Sequence, residues 1–380
     1  MKRLGDTVRD IAAFRARLAT QASPSPTPHG GGKLKTVALD GPNPGNLRMH
    51  VFLPPDTPAK MPLVVVLHGC TQSAARFDVG AGWSALAQAH GFALLYPEQK
   101  RANNPNLCFN WFATSDVTRG SGEVESIHAM IQQMIAADNI DPRQVYITGL
   151  SAGGAMASAM LATYPEVFAA GAIIAGLAYG AAASVPAAFE SMSGGPDLPA
   201  RQWGDKVRSA SSHAGPWPHI TVWQGDADAT VRPVNAVQIV AQWLDVLGLP
   251  PAAAAQTTTG RLTRSVWSDA RTGAQVELCS IAGMGHGVPL DVQSGIAASG
   301  LASPYFLDVG IASTRMTATA WGLCDKPLQR CDELTDTAPA NVSIIEPHFA
   351  EAEITSPAWN KFDSVQSVIH RALAAAGLMK

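Results

Sequence analysis

Val145-Tyr-Ile-Thr-Gly-Leu-Ser-Ala-Gly-Gly-Ala-Met156 is the stretch whose reading decides the fold. It opens as a short β-rich apolar run and closes in an Ala/Met-rich segment that predicts a helix. Between them lies Gly149-Leu150-Ser151-Ala152-Gly153, a G-x-S-x-G pattern. In a strand–turn–helix setting this pattern reads as a nucleophile elbow. The turn is so tight that only small residues fit beside the serine, which accounts for Gly149 and Gly153. It lifts the Ser151 hydroxyl clear of the backbone and aims a helix N-terminus at it, where free N–H groups favour negative charge. In a glycine-rich chain the pattern also arises by chance, roughly 0.1–0.3 times, so its weight rests on its setting and its partners.

Outward from this stretch, apolar runs alternate with helical periodicity. Leu63-Val-Val-Val-Leu67 is continuous, as a strand buried on both faces of a mostly parallel sheet must be. A helix is predicted at about 80–90, a strand at Phe92–Tyr96 and a helix over 122–138 with Ile127, Met130, Ile131, Met134 and Ile135 on one face. The elbow helix runs to about 163. Strands follow at Ala170–Ile174 and Ile220–Gln224, then a helix over about 233–247, then strands at 262–268 and 275–281 around Gly273. Upstream, Leu34–Leu39 and Leu47–Leu53 flank the turn Gly41–Gly45 and predict an antiparallel hairpin. Alternation of this kind is the signature of βαβ units.

Three segments are expected: 1–33, an amphipathic helix (Leu4, Val8, Ile11, Leu18) and a Pro/Gly-rich linker; 34–323, one α/β domain carrying an irregular insertion at 176–217; and 324–380, a C-terminal extension packing on that domain and ending in a helix from Trp359 to about Ala376.

Composition narrows the function classes. The chain has 380 residues, 47% hydrophobic and only 15% charged, which suits a well-buried globular protein rather than a disordered one. A net charge of −3 and the lack of a basic stripe with interleaved aromatics argue against a nucleic-acid partner. The one uncharged run long enough for a bilayer, Val167–Phe189, is Ala/Gly-rich and holds Pro186, so it reads as a buried strand entering a loop, with no membrane partner. The first residues lack an apolar h-region, so no export leader is read, which favours a cytoplasmic location. Five cysteines without a C-x-x-C argue against a zinc site.

A serine hydroxyl is a poor nucleophile near pH 7 and needs a base, which in turn needs an orienting acceptor. In an α/β-hydrolase these follow in the order acid, then histidine, on loops after later strands. Ile220–Gln224 runs into Gly225-Asp-Ala-Asp-Ala-Thr-Val231, where two acids compete. The spacing Gly225, Asp228, Val231 favours Asp228, with Asp226 suited to capping the turn. A metal pair built from the two lacks nearby His ligands. The strand 275–281 runs into Gly283-Met-Gly-His-Gly287, making His286 the expected base. His68 is a rival but precedes the serine, and His213 lies in the insertion. The oxyanion needs two aimed N–H donors. Ala152 supplies one, and the loop Leu67-His-Gly-Cys-Thr-Gln72 offers Cys70 for the other. This chemistry calls for no metal or organic cofactor.

Five phrases carry a resemblance to a known family: Leu67-His-Gly-Cys-Thr-Gln72, Asn106-Leu-Cys-Phe-Asn-Trp-Phe112, Arg119-Gly-Ser-Gly-Glu123, the elbow, and Gly215-Pro-Trp-Pro218. Together, over roughly residues 45–323, they resemble the catalytic domain of poly(3-hydroxybutyrate) depolymerase-type serine esterases of the α/β-hydrolase superfamily. That family is similar to feruloyl and acetylxylan esterases of the same fold. The resemblance implies a mostly parallel sheet with helices on both faces and hydrolysis of short hydroxyacid polyesters or smaller esters. It implies a cystine between Cys70 and Cys108, although two free buried thiols also fit the sequence. It also implies a secreted or extracellular setting, against the unread leader. Cys324 and Cys331 are spaced to close a small local loop, and Cys279 reads as a buried small hydrophobe.

Asn110, Trp111, Tyr179 and Trp203, on loop-like segments, are candidate substrate-binding residues, with satellite core as the alternative. Two other functions stand beside the polyesterase: a carbohydrate-side-chain esterase of the feruloyl or acetylxylan type, and a non-catalytic polymer-binding module. Gly-Val-Pro-Leu after His286, where relatives often place an aromatic, and the short tail depart from the family pattern.

Overall fold

The computed structural model describes residues 34–55, 60–293 and 300–324. The expected N-terminal helix and linker, the C-terminal helix and Cys331 lie outside the described residues. Strand β1 (Lys35–Val37) pairs antiparallel with β2 (Arg48–Phe52), Lys35 opposite Val51, so the hairpin read around Gly41–Gly45 is present. β3 (Met61–Leu67), β4 (Ala93–Glu98), β5 (Ile140–Leu150), β6 (Ala170–Ile174), β7 (His219–Gly225), β8 (Ala255–Thr259), β9 (Leu262–Asp269) and β10 (Ala274–Ile281) complete a ten-stranded sheet. Its order is β1-β2-β4-β3-β5-β6-β7-β10-β9-β8. The centre from β4 through β10 is parallel, while β2 joins β4, and β9 and β8 extend β10, antiparallel. β11 (Val288–Leu290) and β12 (Phe306–Asp308) form a separate parallel pair.

The pleat explains the layers. In β3, Leu63, Val65 and Leu67 point to one core while Val64 and Val66 point to the other. The first face is covered by α3 (Gly122–Ala137), α4 (Ala152–Thr163), α6 (Ala200–Arg208) and α7 (Val234–Leu247). The second is covered by α1 (Ala74–Ala81), α2 (Trp83–His90) and α8 (Ser313–Ala320). Since α4 is buried along its whole length, it is apolar all round rather than amphipathic.

Three departures from the sequence reading have local causes. The helix expected at 80–90 is two helices. Gly82, at φ 76°, ends α1 as a left-handed cap, and the Ser84 N–H is taken by the buried Asp78 carboxylate. The insertion is not irregular throughout. It holds α5 (Val185–Met192), capped by Ser184 with Pro186 in its first turn, and α6. β8, β11, β12 and α8 were not read at all. β8, Ala-Gln-Thr-Thr-Thr, is exposed along its length, so no apolar alternation marks it.

The run Val167–Phe189 is divided between β6, a loop and α5. No described helix is long and apolar enough to cross a membrane.

Candidate active site

Ser151 stands between β5 and α4 at φ 58°, ψ −117°, a backbone region that a residue with a Cβ adopts only when its surroundings impose it. The imposing contacts are visible. A Cβ on Gly149 would lie 2.3 Å from Gly153 O, and one on Gly153 would lie 2.4 Å from Leu67 O and 2.5 Å from His68 O. The elbow is thus clamped between its own helix and the loop after β3. Ser151 N–H donates to Ile174 O at 2.9 Å, anchoring it to the end of β6.

The acid and the histidine come from the next strands along the same edge. β6 pairs with β7 and β7 with β10, all parallel, so the loops after β5, β7 and β10 share the sheet's carboxyl end. Asp228 is buried and receives four donors. Thr230 N–H and Val231 N–H reach Oδ1 at 2.8 and 2.9 Å, and Gln224 Nε2 and His286 Nδ1 reach Oδ2 at 3.3 and 2.7 Å. A carboxylate this well supplied is held in one orientation. It also fixes the His286 tautomer, placing the proton on Nδ1 and leaving Nε2 as the acceptor. Among the described hydrogen bonds of His286, none reaches the Ser151 hydroxyl.

Asp226 does something different: its Oδ1 accepts Gly283 N–H at 2.6 Å, tying the acid loop to the histidine loop. Ala227 N–H to Met284 O, at 3.1 Å, adds a second tie. His68 is no base. Its ring is fully buried, Nε2 accepts Gln99 N–H at 3.1 Å, and Nδ1 donates to Gly69 O at 2.8 Å. Burial pushes its pKa down. His213 instead meets Pro216 O through Nε2.

The loop after β3 crosses the N-terminus of α4, which is why Gly153 has no room for a side chain. Around Cys70 the backbone is committed: Gly69 N–H donates to Gln72 Oε1 at 2.8 Å and Thr71 N–H to Asn106 O at 2.7 Å. No acceptor among the described residues takes the N–H of Cys70 or of Ala152, the two expected oxyanion donors. Cys70 is joined to Cys108 by a disulfide with Cα atoms 4.2 Å apart. This bridge and the Thr71–Asn106 bond tie the β3 loop to the segment 106–112. Cys279 is buried beside Glu277, and burial lifts its thiol far above the range of a reactive cysteine.

The candidate substrate-binding residues fare unevenly. Trp203 is not on a substrate surface: only 1% exposed, it packs from α6 into the core, and its backbone carbonyl accepts Gln242 Nε2 at 3.0 Å. Asn110 is held within the protein. Its N–H and Nδ2 donate to Glu123 at 2.8 and 2.9 Å, and its Oδ1 accepts Asn104 Nδ2 at 3.0 Å. Trp111 is 8% exposed and stands edge-on to Phe112, so most of its ring is core. Tyr179 is half-buried, with its hydroxyl on Val117 O at 3.2 Å.

Several residues at the site were not singled out from sequence. Gln224 donates to Asp228, and Tyr305 packs edge-on against the His286 ring at 6.1 Å between centroids. Gln99 and Glu123 sit behind the β3 loop. The only sequence signal for these was Glu123 within Arg119-Gly-Ser-Gly-Glu123. Among the described residues no group of three His, Cys, Asp or Glu is placed to hold a metal ion.

Comparisons with known proteins place the chain among esterases of this fold. The sequence model of the family described as Esterase PHB depolymerase matches residues 47–266, a span holding Ser151 and Asp228. Poly(3-hydroxyalkanoate) depolymerase C of Paucimonas lemoignei is 44% identical over 291 residues, covering 76% of this chain and 70% of that protein. Feruloyl esterase B of Talaromyces funiculosus is 30% identical over 261 residues, 66% of this chain and 72% of its own. Among solved structures, the acetyl xylan esterase from Aspergillus awamori superposes with a TM-score of 0.65 at 23% identity, over 77% of this chain and all of that one. The chain belongs to the esterase PHB depolymerase family, carboxylic ester hydrolases of the α/β-hydrolase fold.

Proposed function

We propose that the protein hydrolyses short-chain hydroxyalkanoate polyesters or their oligomers, and small carboxylic esters, through an acyl-enzyme on Ser151. The observation that carries the reading is the buried Asp228–His286 pair, 2.7 Å between Nδ1 and Oδ2, set on the same sheet edge as the strained serine. His286 Nε2 takes the Ser151 proton as Oγ attacks the ester carbonyl. The oxyanion is met by the N–H groups of Cys70 and Ala152. Collapse expels the alcohol, which leaves with the proton from His286. Water, deprotonated by His286, then attacks the acyl-enzyme, and Ser151 is restored as the acid departs. Each step balances with water as the only co-reactant. Such hydrogen bonds are often long in the absence of substrate and tighten as it binds, so the missing Ser151–His286 bond is compatible with this sequence of steps.

The substrate class is carried by the relative named a poly(3-hydroxyalkanoate) depolymerase at 44% identity, against 30% for the feruloyl esterase. A carbohydrate-side-chain esterase is the second reading, favoured by that relative. The test is a panel of 3-hydroxybutyrate oligomers, methyl ferulate, acetylated xylan and p-nitrophenyl butyrate, with product masses read out and Ser151→Ala as control. Cleavage of the oligomers that vanishes in Ser151→Ala is the expected result. Cleavage confined to ferulate or xylan acetate would replace the substrate assignment. Turnover retained by Ser151→Ala would overturn the mechanism.

A further inference from the structure

Behind the candidate oxyanion loop lies a buried polar chain that the reaction as derived does not use. Glu123, fully buried in the first turn of α3, accepts three hydrogen bonds: from Gln99 Nε2 at 2.5 Å, Asn110 N–H at 2.8 Å and Asn110 Nδ2 at 2.9 Å. Gln99, 1% exposed, also donates from Nε2 to Cys108 O at 3.0 Å and from its backbone to His68 Nε2. His68 then donates from Nδ1 to Gly69 O at 2.8 Å. That carbonyl belongs to the same peptide unit as the Cys70 N–H.

A trans peptide is planar, with its C=O and N–H pointing in opposite directions. Holding the Gly69 oxygen on His68 therefore fixes where the Cys70 N–H points. Accepting a hydrogen bond at the carbonyl also polarises the unit and strengthens its N–H as a donor. The other arm of the chain runs through Cys108, bridged to Cys70, and through Asn110 beside it. Both arms meet at Glu123. A buried carboxyl at the junction of two loops is costly to desolvate, and its three donors show what it is held by.

We propose that Glu123 is a positioning residue for the oxyanion hole, acting through Gln99 and His68 on the Gly69–Cys70 peptide and through Asn110 on the Cys108 loop. The proposal rests on the serine-esterase reading above and names a residue that touches no substrate. Glu123 orders the side-chain amide of Gln99, which keeps the Gln99 backbone against His68. Where the carboxyl is ionised, replacement by glutamine keeps the shape but turns one acceptor into a donor facing the Asn110 donors, so the comparison is made at about pH 9.

The test compares wild type, Glu123→Gln and Gln99→Met on p-nitrophenyl butyrate, well below the melting temperature of each. Inhibition by butaneboronic acid is measured in parallel, because its tetrahedral adduct on Ser151 places an oxygen in the oxyanion hole. Full loss of a donor costs about 10²–10³ in rate, so misaiming one is expected to lower kcat about tenfold. KM should stay within about twofold, because a donor aimed at the oxyanion acts in the transition state rather than on bound substrate. The inhibition constant for the boronic acid should rise by the same factor as kcat falls. A merely structural role would lower the melting temperature and leave kcat and the boronate affinity unchanged in the folded enzyme, and that result overturns the proposal. So does a fall in kcat with unaltered boronate affinity. Should Glu123→Gln not fold, Gln99→Met, which cuts the side-chain links from residue 99 to Glu123 and to Cys108 O, decides by the same two readouts. An inactive wild type that also fails to react with a fluorophosphonate would overturn the esterase reading itself, and this proposal with it.

Discussion

Asp228→Asn is the substitution that most directly tests how the site is wired. Asparagine retains the volume and keeps an oxygen for the Thr230 and Val231 N–H groups, at 2.8 and 2.9 Å. The other position becomes an NH2 group facing His286 Nδ1 at 2.7 Å and Gln224 Nε2 at 3.3 Å. Two donors now confront each other, and the ring relieves the conflict by moving its proton to Nε2. The imidazole then presents a hydrogen to Ser151 where it should present a lone pair. In the serine-protease triad the same change costs about 10⁴ in kcat, or about 5.5 kcal/mol of barrier. We expect a loss of that order here, with the fold retained, because three of the four hydrogen-bonding neighbours keep a partner: Thr230 and Val231 N–H on the remaining oxygen, and Gln224 Nε2 on Gly225 O and Val231 O. The assay is kcat/KM on p-nitrophenyl butyrate from pH 6 to 10, with thermal melts alongside. Asp226→Asn is the comparator: it weakens only the bond from Gly283 N–H and should stay within about threefold of wild type. Activity in Asp228→Asn within tenfold of wild type, with Asp226→Asn the crippled variant, would refute the assignment of the acid.

Trp203→Ala should destabilise the fold by about 3–5 kcal/mol, as expected for a deleted buried indole, and leave KM on soluble esters unchanged in the folded fraction. A raised KM with unaltered melting would return Trp203 to the substrate surface. Burial pushes the Glu123 carboxyl from 4.5 up to about 8, with the Asp116 charge adding and the Asn110 and Gln99 donors opposing. The folded state therefore holds a proton that the unfolded chain releases near 4.5. The stability this confers is fully present below that pH and is lost as pH rises through about 8, by at most about 5 kcal/mol. Denaturant melts from pH 5 to 9 should show this decline, and Glu123→Gln should flatten it. A wild-type profile that rises over this range would contradict the assignment.

Much of the architecture was legible because burial on both faces leaves a strong mark. Leu63–Leu67 and Ala170–Ile174 are continuous apolar runs, and each is a central strand. The elbow helix was bounded correctly at Thr163 because the apolar run gives way to Tyr164-Pro165. What sequence concealed was structure held by tertiary contact alone. The exposed edge strand β8 has no buried face to create a pattern, and α5 and α6 are short helices broken by Gly194-Gly195-Pro196. At the site, the order of loops singled out Ser151, Asp228 and His286. The local chemistry of aromatic residues misled instead. Trp203 lies in a stretch read as loop, yet one face of its helix is core. Gln99 left no mark, and Glu123 only the phrase Arg119-Gly-Ser-Gly-Glu123, because a buried polar network is defined by which side chains converge, and convergence has no period along the chain.

The parallel pairing of β7 with β10 carries a consequence for how the molecule matures. The histidine loop hangs from β10, whereas the serine is carried by β5, and everything from α4 through β9 intervenes in the chain. Pairings between distant segments are the slow steps of folding, because the intervening loop must be closed before the contact rewards it. The sheet's earlier strands can be in register and its helices formed while β10 is still unplaced. A nascent or refolding chain would then look folded to circular dichroism and remain chemically silent. Enzymatic activity in this protein thus reports whether β10 has docked, because His286 meets Asp228 only once it has.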